Sequence, residues 1–128
     1  MQTSEHFSRQ ELLNNLTDAW NTQDVDKVMN CFVDHATYHI AFGPEALGQS
    51  YEGKTAIRSA VAQGFASYKD GKLSVTSMFV AGEQGAARWL FSYTGVDGKP
   101  AVIHGVDVYE FSGDKLKSKD VYVKYFVA

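Results

Sequence analysis

One carboxylate in this chain stands where a charge is out of place. Asp107 lies in the run His104-Gly105-Val106-Asp107-Val108-Tyr109-Glu110-Phe111, which is dense in β-formers and reads as a strand. Side chains alternate across a strand, so Asp107 shares a face with Ile103, Gly105, Tyr109 and Phe111. Val102, His104, Val106, Val108 and Glu110 take the other face. An ionised carboxylate among apolar residues is costly unless it is paired, neutralised or near water. Burial disfavours its charged form, which suits it to moving a proton near neutral pH. The competing reading is a structural aspartate satisfied by Arg88, a hydroxyl or a backbone N–H.

Other chemistry-bearing residues are fewer and more scattered. Arg88 sits in a second strand candidate beside Trp89, Phe91 and Tyr93; turned inward, it would bind a carboxylate or enolate, or neutralise Asp107 or Asp120. His104 is a candidate assistant to Asp107, but alternation over three residues sends it to the opposite face unless a bulge intervenes. His39 falls between Tyr38 and Ile40, which are expected inside with Phe42, and so belongs outside or at an interface. His35 reads as solvated at a helix end, and His6 lies in a loose start. No metal-ligand spacing such as H-E-x-x-H occurs, nor a serine or cysteine nucleophile motif, a G-x-G-x-x-G or a P-loop. Lys115, Lys117 and Lys119 alternate as a solvated strand edge would. Cys31 has no cationic flank and reads as packing.

The elements that must position these residues run from helices to strands, the α+β order. Ser8 with Glu11 forms a capping box, with Phe7 and Leu12 as its hydrophobic staple. Leu12, Leu13, Leu16, Ala19 and Trp20 follow on one helical face. Asp24 caps a short helix that presents Val25, Val28, Met29 and Phe32 and contains Cys31. Ala36 to Phe42 is a strand candidate, and Gly43 to Ser50 a loop. A third helix spans roughly Thr55 to Tyr68, with Ile57, Val61, Phe65 and Tyr68 as its stripe and Asp70-Gly71 as its terminator. Strands are then expected over Leu73–Ala81, Ala86–Gly95, Ala101–Phe111 and Leu116–Val127, with an Asp97-Gly98 hairpin signal, so the sheet is antiparallel. Several strands are apolar on both faces. One face takes the helices, and a second copy of the chain is the simplest cover for the other.

The totals bound the function. The chain has 128 residues, 45% of them hydrophobic and 13% aromatic, which fits one domain, residues 1–128, with a real core. A net charge of -3 and the lack of any basic run argue against nucleic acid. Apolar runs are too short to span a bilayer, and the N-terminus lacks the form of a signal peptide, so a cytoplasmic location is expected. One cysteine allows no internal disulfide.

Four stretches carry a resemblance. They are Ala19-Trp20-Asn21 with Asp24-Val25-Asp26-Lys27-Val28; Phe32-Val33-Asp34-His35-Ala36-Thr37-Tyr38; Tyr51-Glu52-Gly53-Lys54-Thr55-Ala56-Ile57; and Gly105 to Phe111 with Asp114-Lys115-Leu116 and Tyr122. In that order, over nearly the whole chain, they resemble the SnoaL-like polyketide cyclase branch of the NTF2-like (cystatin-like) superfamily. The resemblance implies three N-terminal helices closing a curved antiparallel sheet into a cone. It implies a pocket-facing carboxylate at Asp107: an acid/base in the cyclases, a neutral oxyanion donor in ketosteroid isomerases. This chain departs from the isomerases at Ile40, where their base would stand, and at Leu16, where their tyrosine would stand. It departs from the epoxide hydrolases of the fold at Leu90, two residues beyond Arg88.

Two functions are therefore expected in competition. In the first, a small hydrophobic, ketone-like molecule enters the cone and Asp107 moves a proton beside its carbonyl, assisted by Arg88, His104 or a tyrosine, with no cofactor or metal. Trp20, Tyr38, Ile40, Phe42, Phe65, Trp89 and Tyr109 would form the ligand wall. In the second, the chain is a non-catalytic homodimer, joined through its sheet, that binds ligands or partners. Neither reading involves nucleic acid or a membrane.

Overall fold

The structure is a computed structural model that describes residues 4–124. Its first helix, α1 (Ser4–Asn21), buries Leu13, Leu16 and Ala19 and half-buries Leu12 and Trp20, the stripe read from the sequence. It starts before the expected capping box, so Ser8 is an exposed residue inside the helix and His6 is helical rather than loose. The Phe7 side chain, and with it the staple, lies outside what is described. α2 (Val25–Met29) has the expected cap, with the Lys27 N–H donating to Asp24 Oδ1 at 3.1 Å. Cys31 follows α2 in a turn and is buried. α3 (Lys54–Ser67) buries Ile57 and Val61.

Six strands form one sheet. They are β1 (Phe32–His39), β2 (Ser50–Glu52), β3 (Lys69–Ala81), β4 (Gln84–Thr94), β5 (Pro100–Ser112) and β6 (Lys115–Val123), in the order β2-β1-β6-β5-β4-β3. The four C-terminal strands are the antiparallel meander expected from their turns. The sheet as a whole is mixed, because β1 runs parallel to β6. The short β2 falls at the end of what reads as a loop, and β1 starts and ends earlier than its β-formers suggest, leaving Ile40 and Phe42 in the connection to β2. Asp70-Gly71 does not terminate α3 but lies in β3, where a Cβ on Gly71 would come within 2.5 Å of the Phe91 ring. Close approach to that ring, not helix capping, is what glycine supplies there.

Two tethers fix α1 over the sheet. At its C-terminal end, the Asn21 amide pairs with the backbone of Leu73, donating to its carbonyl and accepting from its N–H at 2.8 and 2.7 Å. Near its start, Arg9 is buried and donates to the carbonyls of Gly113 and Gly82, in the β5–β6 and β3–β4 turns, at 3.0 and 2.8 Å. Its guanidinium also lies 5.3 Å from the centre of the Phe111 ring. The helices thus cover one face of the sheet. The opposite face carries Phe79, Val102, Val108 and Tyr122, all exposed.

Candidate functional site

The site follows from strand register. On the covered face, Lys119 of β6 stands directly opposite Tyr109 of β5 on one side and Tyr38 of β1 on the other. Asp107 is one step along the same face of β5, opposite Val121 and Ala87. Residues facing each other across a ladder share a face, so Tyr38, Lys119, Tyr109 and Asp107 converge.

Strict alternation from Leu116, whose side chain is buried, would send Lys119 outward. A bulge prevents this. Phe111 pairs with Leu116 and Glu110 with Ser118, so Lys117 is an extra residue on β6. The insertion reverses the phase of the strand, and Leu116 and Lys119, three apart, both point inward. Lys119 is therefore not part of a solvated edge; it is 4% exposed.

Lys119 Nζ lies 3.3 Å from Asp107 Oδ2, and the Tyr109 hydroxyl donates to the same oxygen at 2.9 Å. The ammonium also sits 4.8 Å from the centre of the Trp20 ring and 4.7 Å from that of Tyr38, within cation–π range. The carboxylate's other oxygen, Oδ1, is buried with no hydrogen-bond partner, as is Trp89 Nε1. All these residues line a cavity of about 350 Å³ between the sheet, α1 and α3. Trp20 meets Phe65 edge-on at 5.2 Å in its wall.

All seven residues expected to form the ligand wall border this cavity: Trp20, Tyr38, Ile40, Phe42, Phe65, Trp89 and Tyr109. Phe42, beyond the end of β1, is 59% exposed and sits at the rim rather than inside. The expected catalytic trio is not assembled. Asp107 faces the cavity, whereas Arg88 and His104 are exposed on the opposite face of the sheet. Arg88 pairs with Val106 in the ladder and His104 with Leu90, and no bulge in β4 or β5 turns either one inward. The cation beside Asp107 is Lys119. His39 is half-buried, with Nδ1 hydrogen-bonded to Ser50 Oγ at 2.7 Å. Among the described residues no group of His, Cys, Asp or Glu is placed to hold a metal ion.

Burial alone would favour a neutral amine at Lys119, but the Asp107 carboxylate and the Tyr38 phenol outweigh it and hold the lysine above its ordinary 10.5. Burial, then the charge and hydrogen bond of Asp107, push Tyr109 well above 10.0. Burial, then Asp107 and Tyr51 against the opposing pull of Lys119, raises Tyr38. Burial likewise raises Cys31 above 9.0, against the opposing pull of Lys115. All four groups keep their proton longer when folded than when unfolded. Their contribution is fully present below the unfolded values and is lost as pH rises through the folded ones, so the unfolded state is the readier proton donor from about pH 9 upward. We expect the urea midpoint to fall as pH is raised beyond 9, and to fall further beyond 10. An alkaline limb as flat as that of an exposed-tyrosine control would show that these groups are solvated.

The arrangement can accept a proton at Oδ1 and stabilise negative charge beside an ammonium. A lysine held protonated in this way is a poor nucleophile for imine formation.

The SnoaL-like domain family matches residues 13–119. The chain belongs to the SnoaL-like family. Solved structures agree on the fold. An NTF2-like protein of unknown function from Mesorhizobium loti superposes with a TM-score of 0.79 at 17% identity, with 98% of each chain covered. A candidate SnoaL-like polyketide cyclase from Jannaschia sp. CCS1 gives 0.81 at 13% identity, covering 97% of this chain and 90% of its own. A hypothetical protein with a ketosteroid isomerase-like fold from Catenulispora acidiphila DSM 44928, in complex with trimethylamine, gives 0.76 at 17% identity, covering 88% of this chain and 84% of its own. No curated protein gives a significant sequence match. The family and these neighbours bear out the expected NTF2-like fold; at such identities the neighbours show the fold alone. Among the described residues no helix is long and apolar enough to cross a membrane.

Proposed function

We propose that this SnoaL-like protein binds a small, mainly apolar molecule in the cavity and moves a proton on it through Asp107, without a cofactor. The observation that carries this is the division of labour within one carboxylate. Oδ2 is held by Tyr109 and Lys119, while Oδ1 is buried without a partner on a residue that lines an apolar cavity. Buried polar atoms are nearly always satisfied, so an orphan at a cavity wall suggests the place of a ligand group. The cavity is at the small end of the range for small-molecule sites. Proton transfer beside a carbonyl, as in cyclisation, isomerisation or dehydration, needs a base held in one orientation, and Tyr109 and Lys119 supply that.

The test pairs a panel of aromatic and polycyclic ketones with turnover by wild type and Asp107→Asn. A working base should lose about 10²- to 10⁴-fold in turnover on removal. Turnover by Asp107→Asn equal to wild type would sink the role.

The second reading is a ligand-binding homodimer without catalysis. It is favoured by the pairing of Asp107 with Lys119, which also satisfies a purely structural aspartate, and by the exposed Phe79, Val102, Val108 and Tyr122 on the outer sheet face. Exposed apolar residues gathered on one sheet face suit a self-complementary contact. Sedimentation showing a monomer at micromolar concentration would remove the dimer from either reading.

A further inference from the structure

Asp107 taking a proton raises a question of charge. The ligand left behind is an anion, and an uncompensated anion inside an apolar cavity is strongly disfavoured. Among the described residues that line the cavity, Lys119 is the one cation. Its Nζ touches Asp107 on one side, interacts with the Tyr38 phenol on another and faces the Trp20 ring, and both aromatic residues are themselves cavity wall. An ammonium has three N–H donors; with Asp107 and Tyr38 engaging two, the one left to the Trp20 face is satisfied less well than an oxygen would satisfy it.

We propose that Lys119 is the oxyanion-binding cation of this cavity, and that its ligand is a carbonyl or phenolic compound whose oxygen becomes negative beside it. The inference rests on the reading of Asp107 as the base. The step balances without a co-reactant. Asp107 Oδ1 takes a proton from an α-carbon or a hydroxyl of the ligand. The electron pair of that bond stays on the ligand and delocalises to its oxygen. Lys119 keeps its proton throughout and exchanges one partner, the carboxylate, for another, the enolate or phenolate. Before the step, the buried charges are Asp107 negative and Lys119 positive; afterwards they are the ligand oxygen negative and Lys119 positive. The net charge in the cavity is zero at both ends, which is the condition under which a low-dielectric site stabilises a developing anion. The same geometry narrows the ligand class: a neutral hydrocarbon or a ligand cation would gain nothing from this ammonium, whereas an enolisable ketone or an aryl alcohol would.

The titratable groups that face Lys119 are Asp107 and Tyr109 from β5 and Tyr38 from β1, with Tyr51 of β2 and Cys31 next to these. The experiment uses 4-nitrophenol, whose phenolate absorbs at longer wavelength than its phenol, titrated on the full chain. Bound to wild type, it should show the phenolate band at a pH one unit below its free pKa. Bound to Asp107→Asn, where the competing carboxylate is gone, it should ionise lower still, more than tenfold more readily than in solution. In the neutral pair Asp107→Asn/Lys119→Met, which leaves no charged side chain among the described residues lining the cavity, the bound probe should stay protonated. If Asp107→Asn does not fold, wild type against the neutral pair carries the comparison. A probe that binds wild type but titrates at or above its solution pKa overturns the role of Lys119 and leaves Asp107 untouched. A probe that binds none of the proteins overturns the reading of the cavity as a site for such ligands, and this inference with it.

Discussion

Replacing Lys119 with methionine is expected to destabilise the protein by about 3–5 kcal/mol, the range for breaking a buried ion pair by removing one partner. Methionine fills nearly the same space, so little of this is packing. The loss comes from Asp107, whose carboxylate would stay 5% exposed with Tyr109 as its remaining hydrogen-bond donor. Removing both charges, as in Asp107→Asn/Lys119→Met, should recover most of that loss, because neutral groups of similar volume replace a buried pair at little cost. The contrast with Arg58 and Asp26 shows why burial rather than distance decides. That pair is closer, at 2.7 Å, but its side chains are 50% and 81% exposed. Exposed pairs contribute little, and Arg58→Ala should change stability by less than about 1 kcal/mol. Urea unfolding of the four proteins checks all of this. A Lys119→Met protein as stable as wild type would mean that water reaches Asp107 in solution, and that the site is wetter than its geometry indicates.

Lys119 is also where reading from sequence alone met its limit. The family, the α1 stripe, the meander of the last four strands and the inward turn of Asp107 and Tyr109 follow from patterns local to a few residues, and local patterns survive in sequence. Which way Lys119 points depends on a bulge, and the bulge depends on pairing between β5 and β6. Lys115, Lys117 and Lys119 alternate in the chain as a solvated edge would, and nothing nearby marks Lys117 as the residue that leaves the ladder. One signal was present. Continued alternation from Leu116 would have placed Asp120 and Tyr122 inside and Val121 and Val123 outside, which is the less apolar choice. The side of Arg88 was open for a similar reason, since Trp89, Phe91 and Tyr93 compete with Leu90 for the interior, and three aromatic rings outweigh one leucine in buried area. The parallel pairing of β1 with β6 has no turn to announce it, because the two strands are joined through most of the chain. α1 extends N-terminally past the expected capping box, where Arg9 ties its early turns to two hairpin turns. Propensity signals describe a helix standing alone; this one is anchored by the tertiary fold.

Two glycines near the cavity should separate ligand binding from stability. Gly64 lies inside α3 and lines the cavity, and a Cβ there would meet nothing within 4 Å. Glycine in a helix interior costs about 0.5–1 kcal/mol relative to alanine. Gly64→Leu is therefore expected to hold or raise the unfolding midpoint while placing a branched side chain at the cavity wall. A ligand that fills the present 350 Å³ should lose at least about 100-fold in affinity, about 2.7 kcal/mol. Gly105 is the opposite case. A Cβ there would fall 2.3 Å from Trp89 Cζ2, so the indole or the strand must move. Gly105→Ala should destabilise by about 1–3 kcal/mol through overpacking, and should perturb binding only by displacing Trp89. The pairing matters because a weaker ligand in any single variant has two explanations, a blocked cavity or a loosened fold. If Gly64→Leu binds as tightly as wild type while remaining folded, the ligand does not occupy the space beside α3. If it blocks binding and turnover together while the midpoint holds, the cavity rather than the outer sheet face is where the chemistry happens.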